Sequence, residues 1–242
     1  MHTEEVAYFD GTQKLLGQLM YQESAQKKPA VIVYPAFEGR SQFALQCAKR
    51  YAEQGYVAFA ADIYGDAATA DNIEDCYTLL TPFLQNRALV RKRALLAYEF
   101  LQSHPRVEAP KIGAIGFCFG GMCMLEVARS GTALRAGIGC HSVLAKSDLE
   151  TQPVSTKLLL LQGYQDPQVP ALPAIEAFAK EMAHAENNDW TFSYFGDVKH
   201  SYTDPKTGSF DPAKEKEMGR EYNKRAAARA FSYADAFFKE WL

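Results

Sequence analysis

Near-continuous apolar runs at residues 30–34 (Ala-Val-Ile-Val-Tyr) and 57–61 (Val-Ala-Phe-Ala-Ala) constrain this chain more than any other feature. A strand with one face in water alternates apolar and polar residues, so runs without alternation indicate strands buried on both faces. Further strands are expected at 112–116, 136–140, 158–162 and 191–195. Between them, apolar residues at helical spacing predict helices over 42–54, ending at Gly55, and over 87–103, 119–129 and about 174–184. A long C-terminal helix is expected over 212–241. Strands alternating with helices imply a mainly parallel sheet covered on both faces. Ahead of it, two short segments between residues 5 and 21 flank Asp10-Gly11, a dipeptide suited to a hairpin turn, and predict an opening antiparallel pair.

A chain of 242 residues, 48% of them hydrophobic, can bury one sizeable core, and no linker or repeat divides it, so one α/β domain over 1–242 is expected. The net charge of −3, with Lys and Arg scattered, argues against a nucleic-acid partner. Met1 to Tyr8 lacks the features of a signal peptide and no apolar stretch is long enough to cross a bilayer, so no membrane partner and a cytoplasmic location are expected. The cysteines Cys47, Cys76, Cys118, Cys123 and Cys140 are odd in number and sit mostly in apolar patterns, which suits reduced thiols. Without a Cys-x-x-Cys pair, zinc is disfavoured, and neither metal nor cofactor is expected.

The most informative stretch is Gly116-Phe117-Cys118-Phe119-Gly120-Gly121, at the junction of a predicted buried strand and a helix. Gly-x-Cys-x-Gly is a thiol version of the Gly-x-Ser-x-Gly nucleophile turn, in which flanking glycines keep Cβ atoms off neighbouring backbone. The turn puts Cys118 at a helix N-terminus, where free N–H groups and the helix dipole favour an anion. The N–H of Phe119 would face a developing oxyanion. A structural cysteine in a glycine-rich turn is the competing reading, and the short pattern alone does not separate the two. Cys123 has no glycine frame and reads as buried filler, as do Cys47, Cys76 and Cys140.

This architecture requires an acid and then a histidine after the nucleophile. Asp166 follows the predicted strand ending in Gln162-Gly163, at the sheet edge where Cys118 would sit; an Asp-Pro turn is its plainer reading. His200 lies in the loop after the last strand. His2, His104 and His184 have ordinary surface readings. His141 is the rival base, but it precedes Asp166 and breaks the order. Asp197 and Asp204 are weaker rivals for the acid, since neither ends a buried strand. The second oxyanion donor is expected from the loop 34–40, at the N–H of Phe37.

These residues resemble the dienelactone hydrolase family of α/β-hydrolases over nearly the whole chain. The likeness rests on the Asp10-Gly11 hairpin, Ala60-Ala-Asp-Ile-Tyr-Gly65, the cysteine turn, Gly163-x-x-Asp166-x-x-Val-Pro, and His200-Ser-Tyr-Thr-Asp-Pro followed by Tyr222-Asn-Lys-Arg-Ala-Ala-Ala-Arg-Ala-Phe. The resemblance implies a Cys118-His200-Asp166 triad hydrolysing a small-molecule ester or lactone. It also implies departures. Asp204 stands four residues after the His, where namesake enzymes carry a carboxylate-binding arginine, and residues 66–86, where the other arginine would lie, contain no Arg or Lys. The namesakes' glutamate near the resting thiol is matched by Ala36, leaving Glu38 as the candidate carboxylate. The alternative is a non-catalytic or redox-responsive thiol protein on the same fold. Monomer and homodimer both stay open, as does a lid over residues 66–80.

Overall fold

The computed structural model describes residues 1–146, 148–183 and 189–242. The predicted hairpin forms β1 (His2–Asp10) and β2 (Gln13–Tyr21), joined at Gly11 with φ +60°. The parallel strands follow as β3 (Lys28–Tyr34), β4 (Val57–Ala60), β5 (Val107–Phe117), β6 (Ala136–Cys140), β7 (Lys157–Gly163) and β8 (Trp190–Phe195). They make one eight-stranded sheet in the order β1-β2-β4-β3-β5-β6-β7-β8. Both pairings of β2 are antiparallel and every other pairing is parallel.

Side-chain alternation along each buried strand feeds two cores. Ile32, Phe59, Ala114 and Leu160 point to one face, against α3 (Arg87–Ser103) and α4 (Phe119–Arg129). Val31, Val33, Ile115, Phe117 and Leu161 point to the other, against α1 (Gln42–Glu53) and α7 (Lys224–Trp241). Burial on both faces is why these strands are apolar throughout.

Three elements depart from expectation. An additional helix, α2 (Ile73–Gln85), occupies much of the segment considered for a lid. Asn72 caps it by accepting from Asp75 N–H at 2.9 Å, and Ile73, Cys76, Leu80 and Phe83 form its buried face. The helix expected over 174–184 begins earlier, as α5 (Ala171–Met182), and His184 lies outside the described residues. The C-terminal helix is two: α6 (Pro212–Glu217) stops before Gly219, which takes φ +70°, and α7 starts after its cap Asn223 accepts from Ala226 N–H at 3.0 Å. No helix is long and apolar enough to cross a membrane among the described residues.

Asp62, buried after β4, ties the hairpin to the sheet. Its Oδ2 accepts from Leu16 N–H at 2.9 Å and Ala67 N–H at 2.8 Å, and its Oδ1 from Gly65 N–H at 2.9 Å. The hydroxyl of Tyr8 donates to the Asp62 carbonyl at 2.6 Å and accepts from the Asp62 N–H at 2.9 Å. Removing the carboxylate would strand donors that water reaches poorly. Asp62→Ala is therefore expected to lose about 3 kcal/mol of stability in urea titration, with the midpoint lowered and the slope kept.

Candidate active site

Cys118 sits between β5 and α4 with φ +53° and ψ −113°, a backbone geometry unfavourable for a non-glycine residue. The surrounding packing holds it there. Its N–H donates to the Cys140 carbonyl at 3.1 Å, and its carbonyl accepts from Gly121 N–H at 3.1 Å and Val143 N–H at 3.2 Å. The flanking glycines are required by space: a Cβ on Gly116 would lie 2.1 Å from the Gly120 carbonyl oxygen, and one on Gly120 2.1 Å from that of Tyr34. Phe119 opens α4, so its N–H belongs to the first turn, where no intrahelical acceptor exists.

Asp166 follows β7 and His200 follows β8, and the two meet in a fully buried contact: His200 Nδ1 lies 2.7 Å from Asp166 Oδ2. The other carboxylate oxygen accepts from the N–H groups of Gln168 at 2.8 Å and Val169 at 3.2 Å, which orients it. The His200 loop approaches β7 closely because Gly163 has no side chain; a Cβ there would lie 2.4 Å from the Val198 carbonyl oxygen. The break between α6 and α7 supports the loop from the other side. His200 N–H donates to the Gly219 carbonyl at 2.9 Å, and its carbonyl accepts from Glu221 N–H at 3.0 Å.

With Nδ1 directed at Asp166, Nε2 is left buried without a hydrogen-bond partner. Burial disfavours a charged His200 ring, but the negative charge of a Cys118 thiolate and the Asp166 carboxylate outweigh it and raise the imidazole to about 9. The remaining cysteines are buried and free. Burial pushes up the thiols of Cys47, Cys76, Cys123 and Cys140, in keeping with a packing role.

Phe37 and Glu38 occupy the loop after β3. The Phe37 carbonyl accepts from the Tyr64 hydroxyl at 3.0 Å, and its ring meets Tyr77 of α2 edge-on at 5.9 Å. Tyr64 stacks on Phe119 at 5.8 Å and Phe83 packs against both, so α2 and the segment before it form an aromatic roof beside the Cys118 turn. Residues 66–72 are tied down as well, through the Ala70 N–H to Glu38 carbonyl bond of 3.1 Å and a bridge between Gly39 and Thr69.

The carboxylate of Glu38 is engaged by a residue the sequence reading missed. Arg220 Nη2 donates to Glu38 Oε1 at 2.8 Å, Nε donates to Glu215 Oε2 at 3.1 Å, and the guanidinium lies 4.2 Å from the Phe37 ring centroid. Burial raises the Glu38 carboxyl, Arg220 opposes this, and Asp204 adds to the rise. The site therefore has an arginine, although none stands at the positions where the resemblance predicts one. Of the rival residues, Asp197 is exposed and paired with Arg225, and Asp204 is half-buried with its carboxylate on Lys206 N–H. His141 is buried beside His200. Among the described residues, no three His, Cys, Asp or Glu side chains cluster so as to hold a metal ion.

Residues 16–242 match the Dienelactone hydrolase family. The fold matches the crystal structure of a dienelactone hydrolase-like promiscuous phosphotriesterase from metagenomic libraries with a TM-score of 0.91 and 31% identity, covering 99% of this chain and 98% of that one. In sequence, the chain is similar to an uncharacterized protein of Caenorhabditis elegans, 32% identical over 156 residues, or 62% of this chain and 93% of the relative. It is also 30% identical over 169 residues to a probable 2-oxo-3-(5-oxofuran-2-ylidene)propanoate lactonase of a Bradyrhizobium species, covering 64% of this chain and 65% of the relative. The family match runs from within β2 to the last residue of an α/β-hydrolase fold, and the chain belongs to the dienelactone hydrolase family.

Proposed function

We propose that the protein hydrolyses small, uncharged carboxylic esters or lactones through Cys118, His200 and Asp166, with a covalent acyl-enzyme on Cys118. The observation that carries this reading is the buried 2.7 Å contact between His200 and Asp166, with the free Nε2 of His200 in electrostatic reach of a cysteine held in the strand-to-helix turn. The Cys118 thiolate adds to the substrate carbonyl carbon, and the displaced electron pair moves to oxygen, facing the N–H groups of Phe119 and Phe37. The ester C–O bond then breaks and the leaving oxygen takes the proton from His200 Nε2. In the second half, His200 removes a proton from water as it adds to the thioester. Collapse of that adduct releases the acid and returns Cys118 as thiolate beside protonated His200.

One interaction changes His200 between its two roles. Its imidazole is raised chiefly by the thiolate charge, against the cost of burial. Acylation removes that charge, so burial regains weight and the ring becomes a neutral base for the attack of water.

Charge next to the triad, around Glu38 and Arg220, is the basis for expecting neutral substrates. A cavity of about 340 Å³ beside Glu38 is lined by Glu38, Asp71, Asp204 and Glu215 against Arg220 and Lys206. Arg220, which could attract a carboxylate, already holds Glu38 and Glu215. The phosphotriesterase relative makes a neutral aryl phosphotriester a second substrate to include.

In a panel of short-chain p-nitrophenyl esters, Cys118→Ala is expected to lose about a thousandfold or more in kcat with its circular dichroism unchanged. Unchanged turnover would refute the assignment, and thiol oxidation without acyl-enzyme formation would favour the redox-responsive alternative. Neutral esters should exceed a dienelactone carboxylate in kcat/KM by about tenfold or more, the effect of one uncompensated like charge at a partly buried site. Since the protonated His200 ring is favoured below about 9, kcat/KM should fall as pH rises through that value. In Cys118→Ala, where the thiolate is gone, an NMR titration should show His200 losing its proton at lower pH.

A further inference from the structure

His141 follows β6 with a left-handed backbone uncommon among non-glycine residues: φ is +39°, and its N–H donates to the Leu161 carbonyl at 2.9 Å. Its ring is 2% exposed and lies 5.0 Å from that of His200, at 66° between planes. On another side it meets Tyr202 at 5.2 Å and 79°, and the Tyr202 hydroxyl is itself fixed on the Leu161 carbonyl at 3.0 Å. Thr203 anchors the ring, with Oγ1 2.8 Å from His141 Nε2. The other ring nitrogen, Nδ1, is buried without a partner.

These contacts answer a need that the triad leaves open. A single hydrogen bond from Nδ1 to Asp166 fixes one end of the His200 ring but not its rotation about that bond. Nε2 must still face the sulfur, and no nitrogen or oxygen atom holds it there. We propose that His141, anchored by Thr203, is a positioning residue that fixes the plane of the His200 ring and so aims Nε2 at Cys118. This rests on the reading of His200 as the catalytic base.

The chemistry of the pair suits the role. Burial holds His141 well below the ordinary histidine range, and the positive charges of His200 and Arg220 lower it further. A neutral His141 with Nε2 donating to Thr203 leaves Nδ1 as a bare lone pair, the less costly way to bury an unpaired nitrogen. It also leaves His200 as the group of the two that takes up the proton. The left-handed backbone, held by the bond to Leu161, sends the ring inward toward His200, and such strain is typically retained where the site requires it.

Two variants separate positioning from packing. Thr203→Val keeps the shape of residue 203 and removes only the anchor, while His141→Asn tolerates the left-handed backbone and removes the ring. Both should fold, keep KM within about twofold and lose between about tenfold and a hundredfold in kcat, as misaimed catalytic groups do. The low-field proton resonance of the His200 Nδ1–H···Asp166 bond should shift or broaden in both. Folded variants with wild-type kcat and an unchanged resonance would overturn the proposal. So would a loss of kcat that only follows the folded fraction while the resonance stays in place. The resonance needs no turnover, so it tests the position of His200 even if Cys118→Ala keeps its activity and the triad reading fails.

Discussion

The contact between His200 and Asp166 is the constraint around which the site is arranged. The two side chains lie 2.7 Å apart with no solvent exposure and form an ion pair whenever the imidazole is protonated. Such a pair stabilises a fold only when geometry and further hydrogen bonds offset the cost of desolvation. The structure supplies those bonds from several places in the chain. Gln168 and Val169 N–H groups satisfy the second oxygen of Asp166, and the segment between α6 and α7 holds the His200 backbone at both its N–H and its carbonyl. Gly163 supplies the room for the loops to approach.

The segment 218–223 connects this constraint to the opposite side of the site. Its backbone pairs with His200, while the Arg220 side chain crosses to Glu38 and the Phe37 ring, next to the loop that would supply the second oxyanion N–H. A continuous helix through 212–241 could not do this, because its backbone groups would be spent within the helix. Gly219 at φ +70° ends the helical path, its carbonyl and the Glu221 N–H bridge to His200, and Asn223 restarts the helix. The helix break therefore holds both the His200 backbone and the Arg220 side chain.

Much of this was legible in the sequence, for identifiable reasons. Strands buried on both faces have no polar alternation to obscure them, and the glycines around Cys118 are dictated by backbone atoms a few residues away or on the adjacent strand. Asp166 and His200 could be singled out because the fold fixes the order and the sheet edge from which an acid and a histidine come, and the structure brings these two side chains together. Helix α2 was missed although Ile73, Cys76, Leu80 and Phe83 have helical spacing, since Pro82 and the small polar residues before Asn72 suggest a loop. Arg220 was missed because its partner Glu38 is 182 residues away in the chain and the helical pattern appeared to run through it. His141 was weighed as a base and set aside on chain order. Sequence separation hid its contact with Thr203, 62 residues on, and its place against the His200 ring.

On the proposed reading, Arg220 is where the fold would keep its chemistry and change its substrate. An arginine free to form a bidentate pair would recruit a carboxylate. Here the guanidinium is fixed by Glu38 on one side and Glu215 on the other, and Glu215 is itself held by the N–H groups of Gly208 at 3.0 Å and Phe210 at 3.1 Å. Nε and Nη2 are engaged in these pairs, so a substrate carboxylate would meet a guanidinium whose charge two acids already balance, and the attraction would grow if one of those acids took up a proton. Glu38, whose carboxyl is already raised by burial and by Asp204, is the one placed to do so. If the protein discriminates against anionic substrates as proposed, low pH would relax that discrimination, and neutral pH, with both acids charged beside Arg220, would keep it.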